Sequence, residues 1–321
     1  MKRKKLELNR VKEGKTFQKG FEEFILYCKA RNLRETTIKH YRDIEHIWYL
    51  FIPPDTQLSS ITSKTVEEFI RHLRNNTKSN EVTVNSTLIT IRAVLYYFMK
   101  LEYVERFKIP KLKYDKKVIE VYTDAELELL LQKPDLKSCN FLEYRTWCIV
   151  NFLLATGCRA RTLVNIRLND LDFQNDLVKY TWTKNRKEQL VPMSSTIKKI
   201  LIEYLQYRQG EPEDFLFVNA YGNFLQVDLL SHNIIDYNAR RGVMKRGVHR
   251  FRHSFAKKWI LAGGDIFRLQ KILGHSSMDI VRNYVEMFTS DLQKDFDQYN
   301  PLEQMKPESK QSITMKRNKR K

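Results

Sequence analysis

Five short segments in the second half of the chain contain side chains that could carry out a reaction. Together they offer arginines that keep their charge, a lysine, histidines that can take up or give a proton, and a tyrosine hydroxyl that can act as a nucleophile. Arginine binds phosphate oxygens through paired hydrogen bonds, so this cationic set suits chemistry on a phosphate. In chain order the residues are Arg159 after Thr156-Gly157-Cys158, Lys184 in a charged stretch, His249 with Arg252 and His253, His275 after Leu273-Gly274, and Tyr284.

Each segment taken alone also has an ordinary structural explanation. A glycine behind an apolar run, as at Gly157, is typical of a helix end with a surface arginine after it. The charge run around Lys184 is typical of a solvated hairpin tip. Tyr284 is one of 16 tyrosines, and a lone tyrosine usually belongs to the core or the surface. The informative signal is therefore the combination, with Tyr284 nine residues after His275.

The spacing around Arg252 says most about local geometry. His249, Arg252 and His253 stand at i, i+3 and i+4, which puts them on one face of a helix. Phe251 and Phe255 can anchor the opposite side of that helix. A metal site is a rival explanation for the histidine pair, but no Cys, Asp or Glu nearby completes an obvious ligand set. We expect neither a metal ion nor a cofactor at this site.

The charge of the chain points to a polyanionic partner. There are 57 Lys and Arg against 38 Asp and Glu, a net charge of +19, and the first 20 and last 21 residues account for +11 of it. The remaining +8 belongs to the body of the chain, so a folded surface must also be basic. Nucleic acid is the leading partner class, although ribosomal and membrane-surface proteins share this balance.

The composition fits a globular protein of the cytoplasm or, in a eukaryote, the nucleus. Hydrophobic residues make up 42% and aromatic residues 12%, which is enough to fill real cores. The four cysteines form no CxxC pair, which predicts free, buried thiols. The charged N-terminus lacks the apolar segment of a signal peptide, and the best apolar run, Cys148 to Ala155, is too short to span a bilayer. We expect no membrane partner.

The first hundred residues have the apolar spacing of four amphipathic helices. The first begins near Thr16, and the second follows Thr36 as a possible cap and ends before Pro53-Pro54. Four such helices can bury their apolar faces against one another in a small bundle. The apolar positions are Phe17, Phe21, Phe24 and Cys28, then Ile38, Tyr41, Ile44, Trp48 and Phe51, then Val66, Phe69, Ile70 and Leu73, and finally Val84, Leu88, Ile91, Leu95 and Phe98.

The second half combines helices with a small sheet. Thr123 and Glu126 match a capping box, which predicts that a helix begins there. Residues 141–154 suit a buried helix, whereas 177–182 and 189–193 have the composition of two strands around a charged turn. Helical spacing dominates from Ser195 to about Gln298. The predicted fold class is therefore mainly α, with a small β-sheet in the second domain.

A basic segment separates the two halves. Residues 105–121 contain a proline and six basic against three acidic residues, which suits an exposed linker. The predicted organisation is a basic N-terminal tail over 1–14, a helical domain over 15–104, this linker over 105–121, a second domain over 122–298, and a basic C-terminal tail over 299–321.

The ordered segments of the second domain resemble the catalytic domain of the tyrosine recombinase, or phage integrase, family. That domain carries T-G-x-R, a lysine in a strand turn, H-x-x-R, L-G-H and a later tyrosine, and this chain has all of them in order between Tyr122 and about Gln298. The helical first domain is similar to the core-binding domain of the family. The resemblance implies a four-helix DNA-binding bundle and a mixed α/β catalytic domain. The stretch before Thr16 is too short for the arm-binding domain of many phage integrases, so we expect a two-domain enzyme.

The resemblance also implies a role for each residue of the set. The arginines and His275 would stabilise the negative charge that builds on the oxygens of a phosphodiester during attack. One histidine would accept the tyrosine proton, and the lysine would protonate the leaving 5′ oxygen. The 3′-phosphotyrosine would conserve the bond energy, so rejoining would need neither ATP nor a metal. Transferred position by position, the catalytic set is Arg159, Lys184, His249 as the proton acceptor, Arg252, His275 and the nucleophile Tyr284.

Three positions depart from the family pattern. Thr162 stands where an acidic residue is usual, Gln189 where a basic residue is common, and Asp279 to Val281 where a threonine pair is frequent. All three flank the chemistry. We expect them to change the fine geometry of the site rather than to abolish activity.

The resemblance further implies four protomers on two double-stranded DNA sites, exchanging strands through a four-way junction. The reaction would integrate or excise a mobile element, or resolve chromosomes or plasmids. Phe288, Leu292 and Phe296 could form a helix that docks on a neighbouring protomer, or one that packs on its own core.

Three other functions compete with the recombinase. A type IB topoisomerase uses similar residues, but the L-G-H segment and the compact two-domain layout favour the recombinase. A non-catalytic DNA-binding relative is disfavoured by intact candidates at all six positions. A plain basic helical regulator would leave the ordered motifs as coincidence.

Overall fold

A computed structural model of the chain describes residues 14–76, 79–113 and 120–274. The chain divides into two compact units, Met1–Lys117 and Val118–Lys321. Two of the predicted catalytic residues, His275 and Tyr284, lie outside the described residues, as do Phe288, Leu292 and Phe296, for which docking on a neighbour and packing on the chain's own core are the two predicted alternatives.

The described part of the first unit contains the four helices that the apolar spacing predicts. Their apolar faces meet in one continuous core, in which every helix of the set takes part. A short 3₁₀ turn lies between the second and third helices. The helices are α1 (Phe17–Ala30), α2 (Glu35–Tyr49), α3 (Ser63–Asn76) and α4 (Glu81–Lys100).

The helix starts follow local chemistry, with one departure from prediction. Thr16 caps α1 by accepting a hydrogen bond from the Lys19 backbone N–H at 3.4 Å, and Asn80 caps α4 in the same way. The predicted cap at Thr36 is wrong. α2 begins at Glu35, two residues earlier than a cap at Thr36 predicts, and no side chain in the described part of the chain caps it.

Aromatic rings fill the core of this bundle. Trp48 is fully buried, and its ring centroid lies 5.4 Å from that of Phe17 and 4.6 Å from that of Phe69, so α1, α2 and α3 meet at one side chain. α4 packs against all three of these helices. By length and composition α4 is the one described helix that could cross a membrane, but its apolar side chains form this core.

The segment after α4 is not the exposed linker that its charge predicts. Val104 and Ile109 are buried in the core of the first unit, and Phe107 and Leu112 pack against it. The backbone N–H of Leu112 donates to the Asn85 side chain at 3.2 Å. Apolar residues spaced two to three apart give this extended segment one buried edge, while its lysines stay exposed.

The second unit combines helices with a small sheet, which confirms the predicted fold class. The predicted buried helix and the two predicted strands are all present. Its described elements are α5 (Asp124–Leu131), α6 (Phe141–Thr156), α7 (Ala160–Leu163), β1 (Leu171–Asp172), β2 (Leu177–Tyr180), β3 (Gln189–Pro192), α8 (Ser195–Arg208), α9 (Val227–Arg240), α10 (His249–Leu261) and α11 (Ile266–Leu273).

The described sheet has the strand order β1-β2-β3, and each neighbouring pair is antiparallel. β2 and β3 end one or two residues earlier than predicted. β1 was not predicted, because two residues are too few to show an alternating pattern. Val178 pairs with Val191, and both are buried, so one face of the sheet joins the core of the unit.

The start of the second unit is fastened to α10. Thr123 and Glu126 form the predicted capping box at the beginning of α5. Just before it, the Tyr122 ring lies 4.6 Å from the Phe251 ring, and the Tyr122 backbone N–H donates to Ser254 Oγ at 3.0 Å. α10 also packs along α6, the buried central helix of the unit. The helix with the H-x-x-R residues is therefore held on two sides.

The aromatic core of the first unit gives a stability prediction. Trp48→Ala removes a fully buried ring, and we expect it to destabilise this unit by about 3–5 kcal/mol. Leu50→Ala lies two residues away at a side chain that is 74% exposed, and we expect a change within about 0.5 kcal/mol. Urea unfolding followed by circular dichroism checks both variants. Equal midpoints for the two would contradict this packing.

Candidate active site

A cleft of about 710 Å³ in the second unit collects three of the predicted catalytic side chains. Arg159, Lys184 and Arg252 line it together with the C-terminal end of α11. They come from three different elements: the turn before α7, the β2–β3 hairpin and α10. Residues up to 93 positions apart in the sequence thus face one space.

The turn at Gly157 directs Arg159 into the cleft. Gly157 ends α6 in the left-handed conformation, with φ of 61°, which glycine adopts without steric cost. A Cβ at this position would stand 2.5 Å from the Phe255 ring, so the close packing also requires glycine. Arg159 follows as the N-cap residue of α7, and its Nη1 donates to the Leu273 carbonyl at 3.3 Å.

Arg252 is a buried charge held by the ends of two helices. Only 5% of its surface is exposed. Its Nη1 donates to the Gly157 carbonyl and its Nη2 to the Leu273 carbonyl, both at 2.8 Å. These carbonyls lie at the C-terminal ends of α6 and α11, where the helix dipole is negative. They hold the guanidinium without neutralising it as a carboxylate would.

Lys184 lies on the β2–β3 hairpin, and its side chain is exposed. The neighbouring Thr183 hydroxyl donates to the Lys187 carbonyl at 2.7 Å, which closes the turn. The hairpin also touches α11. Asn185 donates to the Gly274 carbonyl at 3.4 Å, and the Gln189 amide donates to the last turn of α11. The charged hairpin tip is therefore fastened beside the arginines.

His249 begins α10, one helical turn before Arg252. It does not line the cleft, and its side chain is exposed to solvent at one side. Even so, the protein around the ring lowers its pKa by desolvation, and the charges of Arg252 and Arg159 lower it further. The His249 imidazole is therefore mainly neutral at pH 7 and able to accept a proton.

His253 shares this helix face, as the spacing predicts. Burial, followed by His249, Arg252 and Arg250, lowers its pKa to about 4. Its imidazole thus stays neutral beside the arginines at physiological pH. Across residues 14–76, 79–113 and 120–274, no group of three or more His, Cys, Asp or Glu side chains is placed to hold a metal ion.

Two residues that the sequence marked as departures also line the cleft. Thr162 is buried on α7, so this position brings no negative charge to the arginines. Gln189 contacts α11, and no pattern in the sequence predicts this contact. Cys158 is a buried thiol next to Arg159, and burial raises its pKa to about 11. It is therefore unreactive at neutral pH.

The described part of the second unit ends at the cleft. α11 ends at Gly274 in the left-handed conformation, with φ of 61°, and Gly274 is itself a lining residue. His275 is the next residue in the sequence.

Known families and relatives match nearly the whole chain. The phage integrase family matches residues 120–290, and the phage integrase SAM-like domain matches residues 2–116. A tyrosine recombinase of Pseudothermotoga lettingae is 24% identical over 88% of this chain and 96% of the relative. Tyrosine recombinase XerD of Staphylococcus haemolyticus is 26% identical over 87% of this chain and 98% of the relative.

Solved structures share the fold. The Tn1549 transposon integrase in complex with circular intermediate DNA superposes with a TM-score of 0.69, at 18% identity, over 84% of this chain and 94% of that one. A lambda integrase dimer bound to a COC′ core site gives 0.67, at 15% identity, over 84% and 77%. The family match covers more than half of the chain, and the named relatives are recombinases rather than topoisomerases. The chain therefore belongs to the phage integrase family, and it is a site-specific tyrosine recombinase that cleaves and rejoins DNA.

Proposed function

We propose that this recombinase acts through a covalent bond between Tyr284 and a DNA 3′ phosphate, assisted by Arg159, Lys184, His249, Arg252 and His275. The observation that carries the proposal is the meeting of Arg159 and Arg252 at one carbonyl, that of Leu273, in a cleft that Lys184 also lines. Such a site presents positive charge to a bound anion.

The arginines stabilise the reacting phosphate. Attack adds negative charge to its non-bridging oxygens, and preorganised donors that need not move during the reaction stabilise that charge best. The burial of Arg252 supports this role, because its guanidinium is already desolvated and both of its Nη atoms are held by hydrogen bonds to backbone carbonyls. His275, which directly follows Gly274 in the sequence, adds a third donor.

Two proton transfers accompany the exchange of bonds. The Tyr284 hydroxyl forms a bond to phosphorus, and its proton passes to neutral His249. The bond from phosphorus to the 5′ oxygen breaks, and Lys184 gives that oxygen a proton. A 5′ hydroxyl from another strand reverses both transfers, so the bond energy is kept and neither ATP nor a metal takes part.

The substrates in this proposal are double-stranded recombination sites, bound by four protomers. A lambda integrase tetramer bound to a Holliday junction has the same fold, with a TM-score of 0.68 at 14% identity, which supports a homo-tetramer on two sites. The net charge of +19 supports DNA affinity that falls steeply with salt. The protein would act in the cytoplasm on the nucleoid, to move a mobile element or to resolve chromosomes or plasmids.

The nucleophile is tested by trapping the covalent intermediate. Nicked duplexes built from DNA that the protein selects by binding should give an adduct that survives SDS, because the cut strand diffuses away before rejoining. Tyr284→Phe should form none, whereas Tyr221→Phe, at a tyrosine that is 87% exposed, should form it normally. An adduct with Tyr284→Phe, or none with the unmodified protein, would contradict the proposal.

The role of His249 predicts the pH dependence of cleavage. Only the neutral ring accepts a proton, and its pKa lies below the usual 6.5. The single-turnover cleavage rate should therefore decline at acid pH with a midpoint below 6.5. His249→Gln should cleave more slowly, and its cleavage rate should not show this decline at acid pH. A midpoint of the decline above 6.5 would refute the assignment.

A further inference from the structure

The C-terminal end of α11 is capped by side chains from three other parts of the second unit. The last carbonyls of a helix have no partner within the helix. Here Leu273 accepts from Arg252 and Arg159, and Gly274 accepts from Asn185 at 3.4 Å. The two preceding carbonyls, those of Lys271 and Ile272, accept from Gln189. The β2–β3 hairpin and the arginines thus form hydrogen bonds with the same short stretch of backbone.

Gln189 joins the hairpin to α11 through two short hydrogen bonds. Its Nε2 donates to the Lys271 carbonyl at 2.6 Å and to the Ile272 carbonyl at 2.7 Å. The residue is the first of β3, and it pairs there with Tyr180 of β2, whose side chain is buried in the core. The amide is therefore presented from a firmly held point of the sheet.

The packing around this amide is close on the α11 side as well. A Cβ at Gly274 would stand 2.6 Å from the Gln189 Oε1 atom. Glycine at this turn therefore lets the carboxamide lie against the end of the helix, in addition to allowing the positive φ of 61°. The backbone of α11 and the side chain of Gln189 fit each other.

We propose that Gln189 is a positioning residue for Lys184. By binding two carbonyls of α11 it holds the hairpin so that Lys184, five residues earlier, stays in the cleft that Arg159 and Arg252 line. This inference depends on the proposed role of Lys184 as the proton donor. In the family pattern a basic residue is common at this position, and its N–H groups could reach the same carbonyls. Glutamine does so without adding a further charge.

The expected effect follows from the exposure of Lys184. Its side chain is long and in contact with solvent, so its place in the cleft depends on where the hairpin lies. A displacement of about 1 Å in a catalytic group can cost roughly 100-fold in rate. Gln189→Leu, which keeps the approximate volume but removes both donors, should slow single-turnover cleavage of an ordinary phosphodiester by about 10- to 100-fold.

A change of leaving group separates this role from a general structural one. In a 5′-bridging phosphorothiolate the leaving atom is sulfur, and a thiol has a pKa of about 8.5, so it leaves without a proton donor. The slow cleavage by Gln189→Leu should largely disappear on this substrate, as should that by Lys184→Ala. Gln189→Arg, which keeps N–H donors, should restore the rate on the ordinary substrate. Gln174→Leu, at an exposed glutamine of the β1–β2 turn, is the matched control and should cleave both substrates normally.

Circular dichroism and DNA binding confirm that each variant is folded before rates are compared. If Gln189→Leu cleaves the ordinary substrate at the unmodified rate, or is equally slow on both substrates, the inference is wrong while the proposed function stands. If Lys184→Ala is not improved by the sulfur substrate, Lys184 is not the donor and the inference falls with that assignment. If the unmodified protein forms no adduct, the proposed function itself fails.

Discussion

The contact between the Arg252 guanidinium and two helix ends is the interaction on which the rest of the site depends. A buried charge is costly unless hydrogen bonds satisfy it, and here the carbonyls of Gly157 and Leu273 do so. Gly157 ends the helix that leads to Arg159, and Leu273 ends the helix that leads to His275. One guanidinium therefore sets the distance between two turns, each of which delivers a further residue of the proposed set.

This arrangement explains why the T-G-x-R and L-G-H motifs each contain a glycine. Gly157 and Gly274 both have φ of 61°, and at both a Cβ would collide with a neighbouring side chain. The turns must be tight because their carbonyls have to reach inward to the arginines. Desolvation lowers the pKa of His249, and the same arginines lower it further, so the charges that would hold a phosphate also help to keep the proposed proton acceptor neutral.

Sequence patterns predicted most of the helices and strands, but not the contacts between distant segments. Apolar spacing found the four helices of the first unit, and the Thr123–Glu126 pair found the start of α5, because both signals are local. The cap at Thr36 failed because a hydroxyl near a helix start is a weak signal. The burial of Ile109 was missed because the charge of its neighbours dominates that segment. The contacts of Gln189 join residues 82 and 83 positions apart, and no local pattern reports such a distance.

The central claim, that Arg159 and Arg252 stabilise charge on the reacting phosphate, has a direct test. A methylphosphonate at the cleavage position replaces one charged oxygen with a methyl group, so less negative charge needs to be stabilised. Single-turnover cleavage by Arg252→Ala and Arg159→Ala should be measured on this substrate and on the ordinary phosphodiester, each relative to the unmodified protein. We expect that, for at least one of the two variants, the loss of cleavage rate is much smaller on the methylphosphonate than on the phosphodiester. Equal losses on both substrates for both variants would contradict it.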